Sequence, residues 1–164
     1  MNILRILLTA LLVLLCSTAQ TRSFDNTHLI EDASNGDPQA QYTLAHLYLK
    51  GKGGIEFDVE EAVKLLESAA EGGHKEAAFD LAFLYLNGTK LGKDRVKALY
   101  WLTRSAEMGQ VDAQYFLGMA HRKSDPGQAA SWLKMAADGG HLEAAGELDK
   151  ICAATPQWCR FTAD

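Results

Sequence analysis

The sequence predicts an all-α protein, a right-handed solenoid of antiparallel helix pairs, and three observations carry that prediction. Glycines at 36, 73, 109 and 140 are followed by matching residues: Ala40, Ala77, Ala113 and Ala144 four positions on, then Leu44, Leu81, Leu117 and Leu148 eight on. Ahead of the last three glycines runs a second shared series: Asp58, Asp94 and Asp125, then Ala62, Ala98 and Ala129, then Leu66, Leu102 and Leu133. The glycine spacings of 37, 36 and 31 residues are those of stacked helical hairpins, none of which buries its apolar face alone. Such a stack needs about seven helices here, and arrays of this kind bind proteins far more often than they catalyse.

The first 19 residues read as a signal peptide. Arg5 supplies the positive start, Ile6 to Leu15 is a nearly unbroken apolar run, and Ser17-Thr18-Ala19 offers small residues for cleavage after Ala19. The run is too short to span a bilayer comfortably, so no membrane insertion is expected after cleavage. Cys16 raises a lipoprotein alternative, disfavoured because Leu15 stands where a small residue belongs. Cleavage leaves 145 residues with 15 basic and 21 acidic side chains, a net charge of −6. That balance argues against nucleic acid and anionic membranes as partners. The expected location is the periplasm or the extracellular space. There the two remaining cysteines, Cys152 and Cys159, read as a disulfide contributing roughly 2–3 kcal/mol.

Element by element, residues 20–31 are a lead-in and the start of a capping helix, and Leu29 to Asn35 form the N-terminal cap. Residues 32–152 are the repeats, and 153–164 a tail that the disulfide ties down. In repeat one, Asp37 caps the first helix and Pro38 takes its first position, with Ala40, Leu44, Leu47 and Tyr48 on one buried face. The second helix starts at Asp58, where Glu61 completes a capping-box pattern; Ala62, Leu65, Leu66, Ala69 and Ala70 form its inner face. Repeats two and three follow the same plan, with Trp101-Leu102 and Trp132-Leu133 at their centres and Asp125 with Gln128 as a second capping box. Each glycine after a second helix ends it through a positive φ and turns the chain into the next repeat.

These residues resemble the Sel-like repeat family, relatives of the tetratricopeptide repeats. The pieces that match are Ala40-Gln41-Tyr42-Thr43-Leu44-Ala45, Tyr48, Gly51, Asp58, Ala62, Leu66 and Ala69-Ala70-Glu71-Gly72, with their counterparts in repeat two. The likeness runs from about residue 32 to 152. Repeat three departs by lacking the inter-helix loop and by placing His121 where a tyrosine belongs; the last repeat stops after its first helix. The resemblance implies that first helices line a concave, protein-binding side. At 100° per residue, Tyr42, His46 and Leu49 lie opposite the face centred on Leu44. Their counterparts are Phe79, Phe83 and Leu86, then Tyr115, Met119 and Arg122. The expected partner-binding stripe is therefore His46, Leu49, Phe79, Phe83, Leu86, Tyr115 and Met119, centred on Phe83.

The sequence offers little for catalysis, and no catalytic, cofactor-binding or metal-binding residue is expected. Ser131-Trp132-Leu133-Lys134 is formally the S-x-x-K of penicillin-recognising enzymes, but its companion motifs are absent and it falls inside a helix. His74 and His141 occupy one repeat position and reflect duplication, and no histidine pair has metal-ligand spacing. Asn87-Gly88-Thr89 matches a glycosylation sequon, with its glycine already required by the repeat. The leading function is an exported adaptor or scaffold whose concave face receives a protein or peptide. The resemblance adds an alternative, an immunity protein neutralising an envelope-targeted toxic effector. A cell-wall or beta-lactam hydrolase is the third.

Overall fold

The computed structural model describes residues 26–88 and 92–159. The expected signal peptide, Cys16, the first half of the lead-in, Thr89 of the sequon and the last five residues of the tail lie outside the described residues. Eight α-helices follow in chain order, with no strand among the described residues. They are α1 (Thr27–Ser34), α2 (Pro38–Lys50), α3 (Val59–Glu71), α4 (Lys75–Asn87), α5 (Arg95–Glu107), α6 (Val111–His121), α7 (Pro126–Asp138) and α8 (Ala144–Ala154). The expected number was about seven; the N-terminal cap is a full helix of its own. Helices α2 and α3, α4 and α5, and α6 and α7 make the three repeats, α8 is the half-repeat, and each helix packs on its neighbours in sequence.

Two local devices set this path. Gly36, Gly73, Gly109 and Gly140 have φ between +82° and +92°, a region that penalises any side chain. They complete one repeated turn: the N–H of the residue after the glycine donates five residues back, to Ala69 O for His74 (2.9 Å) and Ser105 O for Gln110 (3.0 Å). The second device is the recurrent aspartate. Asp58 accepts from the N–H groups of Glu60 and Glu61, Asp94 from those of Val96 and Lys97, and Asp125 from that of Gln128.

The reciprocal half of the expected capping box does not form. The N–H groups of Asp58, Asp94 and Asp125 donate instead to the carbonyls of Tyr48, Tyr85 and His121, at 3.1, 3.0 and 2.8 Å. Glu61 is left to pair with Lys64. The aspartate thus joins the end of each first helix to the start of its second. This bond survives in repeat three although the loop is missing, because it needs only a backbone carbonyl.

The core is a column of leucines and alanines. Leu66, Leu81, Leu117 and Leu133 are fully buried, and each such side chain contributes about 1.5–3 kcal/mol relative to exposure. Alanines at 62, 77, 113 and 129 are also fully buried, letting helix axes approach. Trp101 is buried and Trp132 half-buried. At the C-terminal end Cys152 and Cys159 are bonded, and a 3₁₀ turn, Pro156–Cys159, places the Trp158 ring against Gly127 at the start of α7.

Candidate partner-binding surface

The expected stripe divides into three environments. His46 is half-buried and engaged within the protein: its Nε2 lies 2.9 Å from Asp80 Oδ2, and Tyr42 packs edge-on against its ring. Burial and the neighbouring Asp80 carboxylate push the Tyr42 phenol up to about 12. Leu49 packs against the main core, and Met119 packs toward the last core cluster beside α7 and α8. Phe79, Phe83 and Tyr115 are brought together by a residue outside the expected stripe, Phe116. Its ring lies 6.1, 5.4 and 5.6 Å from theirs, within the range of favourable aromatic pairs.

Phe83, Leu86 and Phe116 line one side of a groove of about 370 Å³, with Ala120, Leu99, Leu102, Ala98 and Arg95 completing it. It opens where α4, α5 and α6 meet, at the junction of repeats two and three. The equivalent residues at the junction of repeats one and two are His46, Leu49, Asp80, Leu84, Val63, Leu66, Ala62 and Val59. There the His46–Asp80 pair spans the gap, and Leu84 packs into the core. At the junction of repeats three and four, Arg122 and Glu147 pair at 3.0 Å, and Ile151 is buried. Only the middle junction has apolar rings in place of a polar pair, and only it has alanine, at 120, where the others have Leu84 and Ile151. The missing side-chain volume leaves the groove open.

Leu99 connects this groove to the outer face of α5. It is 47% exposed, whereas its counterparts Val63 and Ala130 are 7% and 0% exposed. Val96, 80% exposed, and Tyr100, 56% exposed, extend the same apolar surface, where repeats one and three carry Glu60, Lys64, Gly127 and Ser131. Residues at i, i+3 and i+4 on one helix form a continuous face. The sequence analysis missed Val96, Leu99 and Tyr100 because it placed the binding stripe on first helices alone, and Phe116 because that residue lies outside the positions opposite the Leu44 face. Aligning the repeats carries the available signal for Val96 and Tyr100, which stand where the other repeats have Glu60, Gly127, Lys64 and Ser131.

The repeated histidines have structural partners. His74 accepts from the N–H of Ala77 and stacks on Tyr42 with centroids 4.3 Å apart. His141 accepts from the N–H of Glu143 and stacks on Tyr115 at 4.0 Å. Gln110 takes the capping role at the equivalent position of repeat three, its side-chain Oε1 accepting from the N–H of Asp112 at 2.7 Å. In the S-x-x-K segment, Ser131 Oγ donates to Gly127 O and Lys134 Nζ pairs with Asp138, so neither bond prepares a serine nucleophile.

The Sel1 repeat model matches residues 38–74, 75–110 and 111–141. The fold is similar to the crystal structure of a Sel1 repeat protein from Oxalobacter formigenes, with 34% identity and a TM-score of 0.71, covering 77% of this chain and 98% of that one. It is also similar to a protective antigen of uropathogenic Escherichia coli displaying an SLR fold, at 32% identity and a TM-score of 0.63, over 77% of this chain and 28% of that one. The Sel1-repeat-containing protein YjcO of Escherichia coli K12 is 27% identical over 131 residues, 73% of this chain and 57% of that one. The chitin synthase regulator SKT5 of Malassezia restricta is 28% identical over 143 residues, 83% of this chain and 10% of that one. The chain therefore spans a tenth of one curated relative and just over half of the other. With three matched repeats accounting for most of its length and a stacked-hairpin fold in common, the chain belongs to the Sel1 repeat family.

Proposed function

We propose that this chain is an exported protein-interaction module whose partner seats an apolar segment in the groove between repeats two and three. Sel1 repeat proteins generally mediate protein–protein interaction, which supports the class of function. The observation that carries the site is the middle junction: it holds an apolar groove of about 370 Å³, where the first junction is spanned by the His46–Asp80 contact and the third has a smaller cavity of about 260 Å³ lined by Arg122 and Lys150 beside the Arg122–Glu147 pair. Interfaces concentrate their energy in such desolvated pockets lined by aromatic groups. Export rests on the N-terminal apolar run and its small-residue boundary, which lie outside the described residues.

The test uses tagged protein expressed in its own cells, crosslinked and captured from the envelope fraction. A partner that seats in the groove is retained by the native chain and reduced at least about tenfold by Ala120→Leu, which fills the groove without introducing charge. Ser131→Ala, outside the groove, leaves retention unchanged. Equal retention by the native chain and Ala120→Leu removes the groove from the reading. A mature N-terminus at Gln20 supports export, and an intact Met1 in the cytoplasm removes it. If the retained partner is one protein toxic to cells lacking this chain, the function narrows to immunity; several non-toxic envelope proteins mark an adaptor.

A further inference from the structure

Building on the groove reading, we propose that the outer face of α5 and the adjoining groove dock an acidic amphipathic helix of the partner protein. The protein as a whole is acidic, with a formal charge of −5, which favours a basic partner. The apolar surface has the opposite local sign. Helix α5 carries Arg95, Lys97 and Arg104 against Glu107 alone, while its counterpart α3 carries four glutamates against Lys64. The cations are therefore concentrated on the second helix that exposes three large apolar side chains, Val96, Leu99 and Tyr100, where α7 exposes Met135.

Arg95 decides where a complementary charge belongs. It lines both the groove and the α5 face, is exposed, and has no acidic partner among the described residues. Arg104 already lies 3.6 Å from Glu107, and Lys97 sits over the Tyr85 ring with Nζ 5.1 Å from its centroid. A carboxylate carried beside an apolar anchor reaches Arg95 as that anchor enters between Phe116 and Leu99. Planar guanidinium–carboxylate pairing would then fix the orientation of the incoming segment.

The shape of the surface selects a helix. Val96, Leu99, Tyr100 and Thr103 follow the α5 axis at i, i+3, i+4 and i+7, forming a ridge about 10 Å long at 1.5 Å per residue. A second helix packs along such a ridge with its own i, i+4 side chains. An extended peptide has no sheet edge to join among the described residues.

The experiment selects from a random 16-residue peptide library displayed on phage, using the purified protein, and measures vesicle binding in parallel. The expected clones place apolar residues at i and i+3 or i+4 and carry net negative charge. Arg95→Glu, a substitution at an exposed site, should weaken those clones about tenfold, with an unchanged melting temperature, and should select basic clones instead. Ala120→Leu should weaken the original clones as well. Clones that are neutral or basic but still sensitive to Ala120→Leu overturn the acidic partner and leave the groove reading standing. Clones insensitive to both variants, or no enriched clones, overturn both. Binding to phosphatidylglycerol vesicles that Arg95→Glu abolishes, with no peptide enrichment, assigns the surface to anionic lipid and overturns the inference.

Discussion

Two junctions built on the same repeat plan show how this fold separates stability from recognition. Between repeats one and two, Asp80 meets His46, Leu84 packs inward and Val63 is buried, so the contact is closed. Between repeats two and three, the same positions hold Phe116, Phe83, Ala120 and Leu99, and a groove remains. The leucines beneath are shared. A repeat scaffold tolerates this difference because each unit interacts chiefly with its neighbours, leaving one interface open without unravelling the stack.

The largest effect that distinguishes the two comes from truncating the same leucine in each repeat. Leu66 is fully enclosed, so Leu66→Ala should cost about 3–5 kcal/mol in denaturant unfolding. Leu102 borders the groove, and Leu102→Ala should cost about 2 kcal/mol, because one side already lacks packing partners. Equal losses at both positions would mean that the junctions are equally packed, ending the comparison.

A smaller effect of opposite sign follows from the residue that opens the groove. Ala120→Leu restores the side chain found at 84 and should raise stability by about 1 kcal/mol, as cavity-filling changes commonly do. Leu84→Ala is the reverse edit and should lower stability by about 2–3 kcal/mol. Thermal or urea unfolding of both variants measures the exchange. A destabilised Ala120→Leu protein would show that the space at this junction is too narrow for the side chain its neighbours accept.

The stacked hairpins were legible because their determinants are local and repeated: turn glycines, aspartate caps, and leucines at helical spacing. The capping box was legible only in part. Asp58 caps as expected, but whether its N–H meets Glu61 or Tyr48 depends on where the preceding helix ends in space. The binding surface was less legible for a related reason. A helical wheel placed Phe83 and His46 on the same face, and they do occupy equivalent positions. Their surroundings are decided by residues about one repeat further along, Phe116 in one case and Asp80 in the other. Leu99 gave no local sign of exposure, since its equivalents are buried.

The smallest effect separates the junctions by pH. At the first junction, burial and then the Asp80 carboxylate raise the Tyr42 phenol from 10.0 to about 12. The corresponding residue at the second junction is Phe79, which has no proton to lose. Neutral Tyr42 is favoured by folding, so its contribution is complete below the ordinary phenol value near 10 and is lost as the pH rises through about 12. Tyr85 behaves in the same direction, raised to about 12 by burial and by Glu67, to which its hydroxyl donates at 3.1 Å. Ultraviolet titration should therefore show late-ionising tyrosines, one fewer in Tyr42→Phe. Between pH 10 and 12 that variant should lose less stability than the native chain, with Tyr85→Phe as the matched comparison at a different contact. An ordinary titration of Tyr42 near 10 would place its hydroxyl in water, and the first junction would no longer count as the closed one.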